Sequence, residues 1–535
     1  MPDSNPTLDV QVTSTTNIFP ESTNRPPKTV PLSIIDNTVA NLARCAAIWY
    51  YDSPTKPSKP EDPISRFSPE HLQASLSTTL NSYPQFCGHL SYATPDLHGR
   101  HTQRYHRIHL SYNKPNSSSV PVPFLTAKTS KRLSHFIPSI EDRETYQKAW
   151  NTSEFASREL VPSTPLALSK ESLPADTPNM VVQHTTFACG STALAISITH
   201  CLSDAQSLST FAKDWSLTSR ALLARQPHPK LCPIFNPKLL DDHAAGMIDS
   251  YIPNNDIRVQ ARRLPMHRYD WYTPVPNQPW PLGKPSDFPQ DVPERLDTPS
   301  KPIPWHQWDT KAPVSHYVLH FSKEQVQKIF NHVSSSSQNK FSKHDALLSH
   351  VWNCINTARQ HAPGTQTYLN LSLGLRQRLP PPLPANFLGS PITSTAISHK
   401  IPNSSKAFPP SYLAEKINQE VAKFTPKAVS QLLHDEAFEV DPQRLWRSCL
   451  GKEHLLVTSW IYLGVQDVDF VGSWTGGKLR YVEPIMSACD GLIVILEGMG
   501  EARGNWTENG VDVSLFLEEE AMKRLLYDEE LWGRA

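Results

Sequence analysis

Two hydrophobic spacings alternate along the chain. Leu72, Leu76 and Leu80 recur every four residues behind Ser68-Pro69, which predicts a helix capped by Ser68 with Pro69 in its first position. Tyr83-Pro84 ends it, because a residue before proline is pushed out of the helical region. Val181–Phe187 and Ala193–Thr199 are β-rich runs separated by Cys189-Gly190-Ser191, the pattern of a hairpin. After Asp204 the period becomes helical again, with Leu208, Phe211, Ala212 and Trp215 on one face. His200 therefore stands where a strand hands over to a helix. Further on, Tyr317–Phe321 reads as a strand. Ser342 with Asp345 reads as a capping box ahead of a buried face made by Leu347, Leu348, Val351 and Trp352. Leu455–Trp460, Leu492–Leu496 and Val511–Leu517 read as late strands.

Two stretches break this pattern. The first thirty residues are rich in Ser, Thr, Asn and Pro and are expected to stay loosely ordered until Leu32. From about Gln226 to Ala312 the chain reads as a long connector, with ten prolines between Pro274 and Pro304. Proline at that density removes backbone donors and prevents regular elements. Trp271, Trp280, Trp305 and Trp308 imply that the connector packs on something. A chain of 535 residues exceeds one compact core. Strands and helices occur on both sides of the connector, so the expectation is two α/β domains, 1–225 and 313–535, joined by the crossover 226–312. There is no short internal repeat.

Composition narrows the function classes. The 51 basic and 51 acidic side chains cancel, whereas nucleic-acid and membrane-surface proteins usually carry a basic excess. None of the eight cysteines forms a C-x-x-C pair, which leaves zinc-knuckle and thioredoxin chemistry without support, and no metal is expected. The N-terminus lacks a secretory pattern, and no run of about 18 apolar residues occurs. The expectation is a cytoplasmic protein with reduced thiols, in which Asn116-Ser-Ser and Asn505-Trp-Thr are chance sequons.

Candidate chemistry centres on His200-Cys-Leu-Ser-Asp204, an H-x-x-x-D. Alone it is weak, since chance supplies roughly one such match in a chain of this composition. A helix-start Asp beside a structural His is the plainer reading. Other segments change the weighing by their order: Leu32-Ser-Ile-Ile-Asp36, then Leu80-Asn-Ser-Tyr-Pro-Gln-Phe-Cys-Gly-His-Leu90, then Val182 to Gly190 before the His. Ser342 to Trp352 follows, then Leu375-Arg376-Gln-Arg378-Leu-Pro with Pro382 to Gly389, then Thr458-Ser-Trp460 and Asp469-Phe470. In this order the set resembles the BAHD acyltransferases, within the broader transferase family that includes fungal members, and the resemblance covers most of the chain.

The resemblance implies two chloramphenicol-acetyltransferase-like domains, each a mixed β-sheet with flanking helices. It implies a monomer without a permanently bound cofactor that takes an acyl-CoA such as acetyl-CoA as co-substrate and a small alcohol or amine as acceptor. His200 would be the general base, since a neutral imidazole can accept a proton from an alcohol attacking a thioester. Trp460 or Thr458 would donate to the oxyanion. Asp204 would turn away from His200 to pair with Arg376, and Asp469 would also be structural. Ser342, Lys343 and Arg378 are the nearest polar candidates for the coenzyme, each also readable as an ordinary surface group. The connector is a candidate wall of the acceptor pocket.

The sequence departs from the family pattern twice. Asp469-Phe-Val-Gly-Ser-Trp474 carries one residue more than D-F-G-W-G, which weakens any role for Gly472 and Trp474. Ser390 stands where Asn is expected after Gly389. Two other readings compete. One is a Cys–His hydrolase using Cys189 or Cys201, although on a strand Cys201 would face away from His200. The other is a non-catalytic binding module that keeps the fold.

Overall fold

A strand of consecutive apolar residues needs cover on both faces, and Leu492–Glu497 is such a strand. The computed structural model describes the chain apart from residues 1–8, 23–24, 41–43, 54–66, 97–98, 116–117, 146–147, 153–156, 168–176, 277, 280–282, 290–291, 293–299, 404–407, 471–476, 503 and 534–535. In it Leu492, Val494 and Leu496 join one core, and Ile493 and Ile495 join another. This strand is central in a seven-stranded mixed sheet ordered Ile392–Lys400, Gln366–Gly374, His454–Ser459, Leu492–Glu497, Val511–Glu518, Val314–Phe321, Ala149–Asn151. The N-terminal half builds a six-stranded mixed sheet ordered Gln11–Ile18, Val122–Thr129, Met180–Phe187, Thr192–Ile198, Cys45–Tyr51, Leu479–Pro484.

Helices flank both sheets. Pro69–Leu80 and Ala205–Leu223 bury Leu72, Leu76, Leu80, Leu208, Phe211, Ala212 and Trp215 against the six-stranded sheet. Lys323–Ser334, Lys343–Ala358, Ser411–Ala422 and Glu519–Tyr527 cover the outer face of the seven-stranded one. The first core does not stop at the sheet of the N-terminal half. It runs on through Trp460, Val465, Phe470 and Leu492. The expected α/β architecture of two mixed sheets with flanking helices is therefore present.

Each sheet borrows an edge strand from the other half. Leu479–Pro484 pairs antiparallel with Cys45–Tyr51, and Ala149–Asn151 pairs antiparallel with Val314–Phe321. Cuts at 225 and 313 therefore do not separate the sheets, and pulling the halves apart would break backbone ladders as well as side-chain packing.

Two expectations need correction. The N-terminal stretch is not loose throughout: Gln11–Ile18 forms the edge strand beside Val122–Thr129, and Lys28–Pro31 pairs with Ile108–Tyr112. Its Ser and Thr content reads as linker by composition. Val12, Thr13, Thr15, Thr16 and Ile18 are β-branched, however, and suit an exposed edge strand. The crossover, too, has regular pieces, in the helices Lys238–Asp241 and Asn255–Ala261 ahead of its proline-dense part.

Most of the crossover's tryptophans do pack. Trp271, Trp305 and Trp308 gather around Trp446, with centroids 5.2 Å apart for Trp271–Trp446 and 5.8 Å for Trp271–Trp305. Trp280 lies outside the described residues. The backbone at Trp308 presses on Gly451, whose φ is +111° and where an added Cβ would lie 2.7 Å from the Trp308 Cα. Only glycine allows that approach. Beyond the aromatic patch, Asp435 accepts from Arg258, Arg262 and Arg268, and Asp270 pairs with Arg444. The crossover is therefore docked by both aromatic packing and paired charge.

Removing a buried indole from this patch costs about 3 kcal/mol, the usual range for a large aromatic truncated to alanine. Trp305→Ala should lower the thermal midpoint by several degrees relative to the unmutated chain, measured by circular dichroism. A midpoint that does not move would mean that the cluster is not holding the crossover.

Candidate active site

His200 opens a short 3-10 turn, His200–Leu202, between strand Thr192–Ile198 and helix Ala205–Leu223. The local sequence explains the handover. The strand ends as Thr199 hydrogen-bonds through its backbone to Asn179, and Asp204 then caps the helix by accepting from the Ser207 N–H at 2.9 Å. Cys201 and Leu202 are buried in the core shared by the two halves, which leaves His200 half-buried at its margin.

Asp204 does not serve the imidazole. Its carboxylate receives both Arg376 Nη atoms, with Nη2 to Oδ1 at 2.9 Å, and its hydrogen-bond partners among the described residues are Arg376 and the Ser207 N–H. Arg376 also donates to the Phe387 carbonyl and to Ser207 Oγ. The Gly389 carbonyl accepts from the Asp204 N–H at 3.0 Å and from Ser207 Oγ at 2.8 Å. The loop between Arg376 and Gly389 is thus clamped onto the start of the helix that follows His200.

That clamp delivers Ser390 to the imidazole. Ser390 Oγ lies 3.0 Å from His200 Nδ1, and the Ser390 N–H donates to Asp36 Oδ1 at 2.6 Å. Asp36 belongs to the five-residue helix Ile34–Thr38, which is closed by a capping box with Ser33. Gly389 approaches the same carboxylate at φ +133°, and a Cβ there would stand 3.0 Å from Asp36 Oδ1. The crossover reaches this helix as well, because Asp241 accepts from the Ile34 N–H at 2.8 Å. Burial lifts the Asp36 carboxyl to about 7, against the hydrogen bonds from Ser33 and Ser390 that pull it down. Burial also holds the His200 imidazole below its ordinary value and outweighs the Asp204 carboxylate, which pulls the other way.

The two oxyanion candidates share a face. Along His454–Ser459, Leu455 and Val457 point to the outer core, and Leu456 and Trp460 to the core shared with the N-terminal half. By strand alternation Thr458 lies on the Trp460 face, toward the core that also contains Cys201 and Leu202. Neither the indole N–H of Trp460 nor the Thr458 hydroxyl is hydrogen-bonded to a described residue.

The coenzyme candidates divide. Ser342 is occupied in its own capping box, exchanging hydrogen bonds with Asp345. Arg378 donates through Nη1 to the carbonyls of Val421 and Phe424 at the end of helix Ser411–Ala422. Lys343 is half-buried and hydrogen-bonds to no described residue. Asp469 pairs with Arg220, 3.1 Å away near the end of helix Ala205–Leu223. Gly472 and Trp474 lie outside the described residues.

The cysteines offer no nucleophile beside His200. Cys201 is fully buried and its thiol is pushed far above the ordinary range, mainly by burial. Cys189 sits in the turn at the opposite end of the seven-residue strand, roughly 20 Å of extended chain away. Among the described residues no cluster of His, Cys, Asp and Glu could hold a metal ion. A cavity of about 1150 Å³ lies between helices Lys323–Ser334 and Lys343–Ala358 and contains none of the expected site residues.

Sequence reasoning missed the contact between Ser390 and His200. Both Asp36 and Ser390 stood in recognisable segments, but 354 residues separate them and 190 separate Ser390 from His200. No spacing rule reaches that far.

A model of the Transferase family matches residues 8–531. Acyltransferase AFT15-1 of Alternaria alternata is 26% identical, over 98% of this chain and 97% of its own length. Acyltransferase abl6 of Leptosphaeria maculans is 24% identical, over 98% of each chain. Among solved structures, TRI101 of F. sporotrichioides, complexed with coenzyme A and T-2, matches with a TM-score of 0.61 at 15% identity. That match covers 95% of this chain and 98% of TRI101, and the likeness is one of fold.

Removing one member of a buried ion pair leaves the other uncompensated, at a cost of about 3–5 kcal/mol. Arg376→Ala should therefore lower the thermal midpoint more than Asp204→Asn, which keeps the helix cap and removes the charge. The double variant should be less destabilised than the sum of the two. Additive losses would show that the pair is not coupled.

Proposed function

This chain belongs to the Transferase family, and from that premise we propose that it is an acyl-CoA-dependent acyltransferase acting on a hydroxyl or amine of a small specialised metabolite, with His200 as the base. The observation that carries the reading is the state of His200: burial favours its neutral form, its Nδ1 is tethered by Ser390, and Asp204 is committed to Arg376.

In the proposed reaction, His200 Nε2 takes the acceptor's proton as its oxygen or nitrogen attacks the thioester carbonyl. A tetrahedral oxyanion forms and accepts a hydrogen bond from the Trp460 indole or the Thr458 hydroxyl. The intermediate collapses by breaking the carbon–sulfur bond, and the leaving thiolate recovers the proton from the imidazolium. No enzyme-bound acyl group is needed, because both substrates are held together.

Coenzyme A is the co-substrate in this reading, with Ser342, Lys343 and Arg378 as the candidates for its polar contacts; of these, Lys343 is the one with no hydrogen bond to a described residue. The domain division at 225 and 313 is kept for the chain path, with the two exchanged strands as its exceptions. We also take the protein to be a cytoplasmic monomer that binds no nucleic acid. Supporting this are balanced charge and eight free cysteines, and no helix among the described residues is long and apolar enough to cross a membrane.

Thiol release from acetyl-CoA and longer acyl-CoAs, measured against a panel of alcohols and amines, should depend on acceptor. His200→Ala should reduce it about 10²-fold or more while coenzyme binding persists. Because burial lowers the His200 pKa, the neutral base persists on acidification, and the acid limb of kcat/KM should fall below pH 6.5. Unchanged turnover in His200→Ala would reject the base and favour a binding module. The Cys189→Ser/Cys201→Ser double variant should remain active, whereas a thiol hydrolase would lose all turnover.

A further inference from the structure

An imidazole that acts as a base through one nitrogen must keep its other nitrogen protonated and its ring plane fixed. In this chain Asp204 does neither, since its carboxylate belongs to Arg376 and Ser207. Among the described residues, the side chain within hydrogen-bonding distance of the ring is that of Ser390, whose Oγ is 3.0 Å from Nδ1. Ser390 is fully buried, so its hydroxyl sits in a defined place. Its backbone N–H is held by Asp36 at 2.6 Å, and Asp36 is itself held by Ser33. The helix bearing Asp36 is capped from the crossover by Asp241.

We propose that Ser390 is the positioning residue of this active site: its hydroxyl accepts the Nδ1–H of His200 and so leaves Nε2 unprotonated and aimed at the acceptor. This rests on the assignment of His200 as the base. A hydroxyl can serve throughout the cycle. It accepts from Nδ1–H in the neutral ring, and it accepts more strongly from the same N–H in the imidazolium, when Nε2 has taken the acceptor's proton. No proton passes to Ser390, and none needs to. Asp204 faces Arg376, Asp36 faces Ser33 and the Ser390 backbone, and burial pushes the Cys201 thiol far up.

A seat built this way makes the orientation of the base depend on parts of the chain far from it. Asp36 and Asp241 touch neither the ring nor the reacting atoms. They act on Ser390 through its backbone and through the short helix Ile34–Thr38. They are positioning groups at one remove.

The test compares Ser390→Ala and Ser390→Thr with the unmutated enzyme and with His200→Ala, using kcat, KM and the pH profile of kcat/KM. Ser390→Ala should lower kcat about tenfold or more, because small misplacements of a base are expensive. KM for acyl-CoA should hold within about twofold, since uniform binding is untouched. Losing an acceptor that favours the imidazolium should also move the acid limb to lower pH. Ser390→Thr keeps the oxygen and should recover most of the rate and the original limb. A Ser390→Ala enzyme with unchanged kcat and unchanged limb would overturn the proposal. So would Ser390→Ala and Ser390→Thr enzymes equally impaired with the limb unmoved, which would make Ser390 a packing residue. If His200→Ala retains turnover, it is the assignment of the base that fails instead, whatever the Ser390 variants do.

Discussion

The buried pair between Asp204 and Arg376 is the constraint on which the site depends. The two residues come from opposite halves of the chain, and neither can leave the contact without stranding a charge in a dry interior. Their pairing fixes three things together. It starts helix Ala205–Leu223 at a defined residue, holds the loop from Arg376 to Gly389 against that start, and sets Ser390 beside His200. A shift of the loop would misplace the imidazole without disturbing either core.

The wider architecture protects that constraint. Two sheets that merely abutted could slide, but here each contributes an edge strand to the other, so the halves are joined by antiparallel ladders as well as by a shared core. The crossover adds a third tie. It docks through its tryptophans near the start of the strand that carries Thr458, where Gln307 also meets His454 at 2.9 Å. At its other end it caps the helix of Asp36. The connector braces both sides of the candidate site.

The chemistry asks for a group that burial would ordinarily ruin. A histidine sealed in a core is neutral but cannot reach a substrate, and one in water is reachable but poorly oriented. His200 is placed between these limits, with its neighbours Cys201 and Leu202 sealed and its ring at the margin of the shared core. Burial favours the neutral ring, and the Ser390 hydroxyl orients it without adding a charge that would compete for the proton.

The sequence by itself determined the local elements and singled out the candidate base. Ser68 and Pro69 start a helix, Asp204 starts another, and the β-rich runs before His200 form a hairpin, because capping and hydrophobic period are properties of a few neighbouring residues. The family pattern carried the Asp204–Arg376 pair across 172 positions, a reach that no local rule has. Composition misled at the N-terminus, where β-branched residues hidden among serines and asparagines form an edge strand that exists only because Val122–Thr129 offers it a partner. Only the tertiary structure decided that Arg378 meets the end of a helix, that the sheets exchange strands, and that Ser390 lies against the imidazole. Each of these depends on a backbone group or hydroxyl meeting a partner from a distant segment, and the sequence carries no periodicity or charge that marks such a meeting.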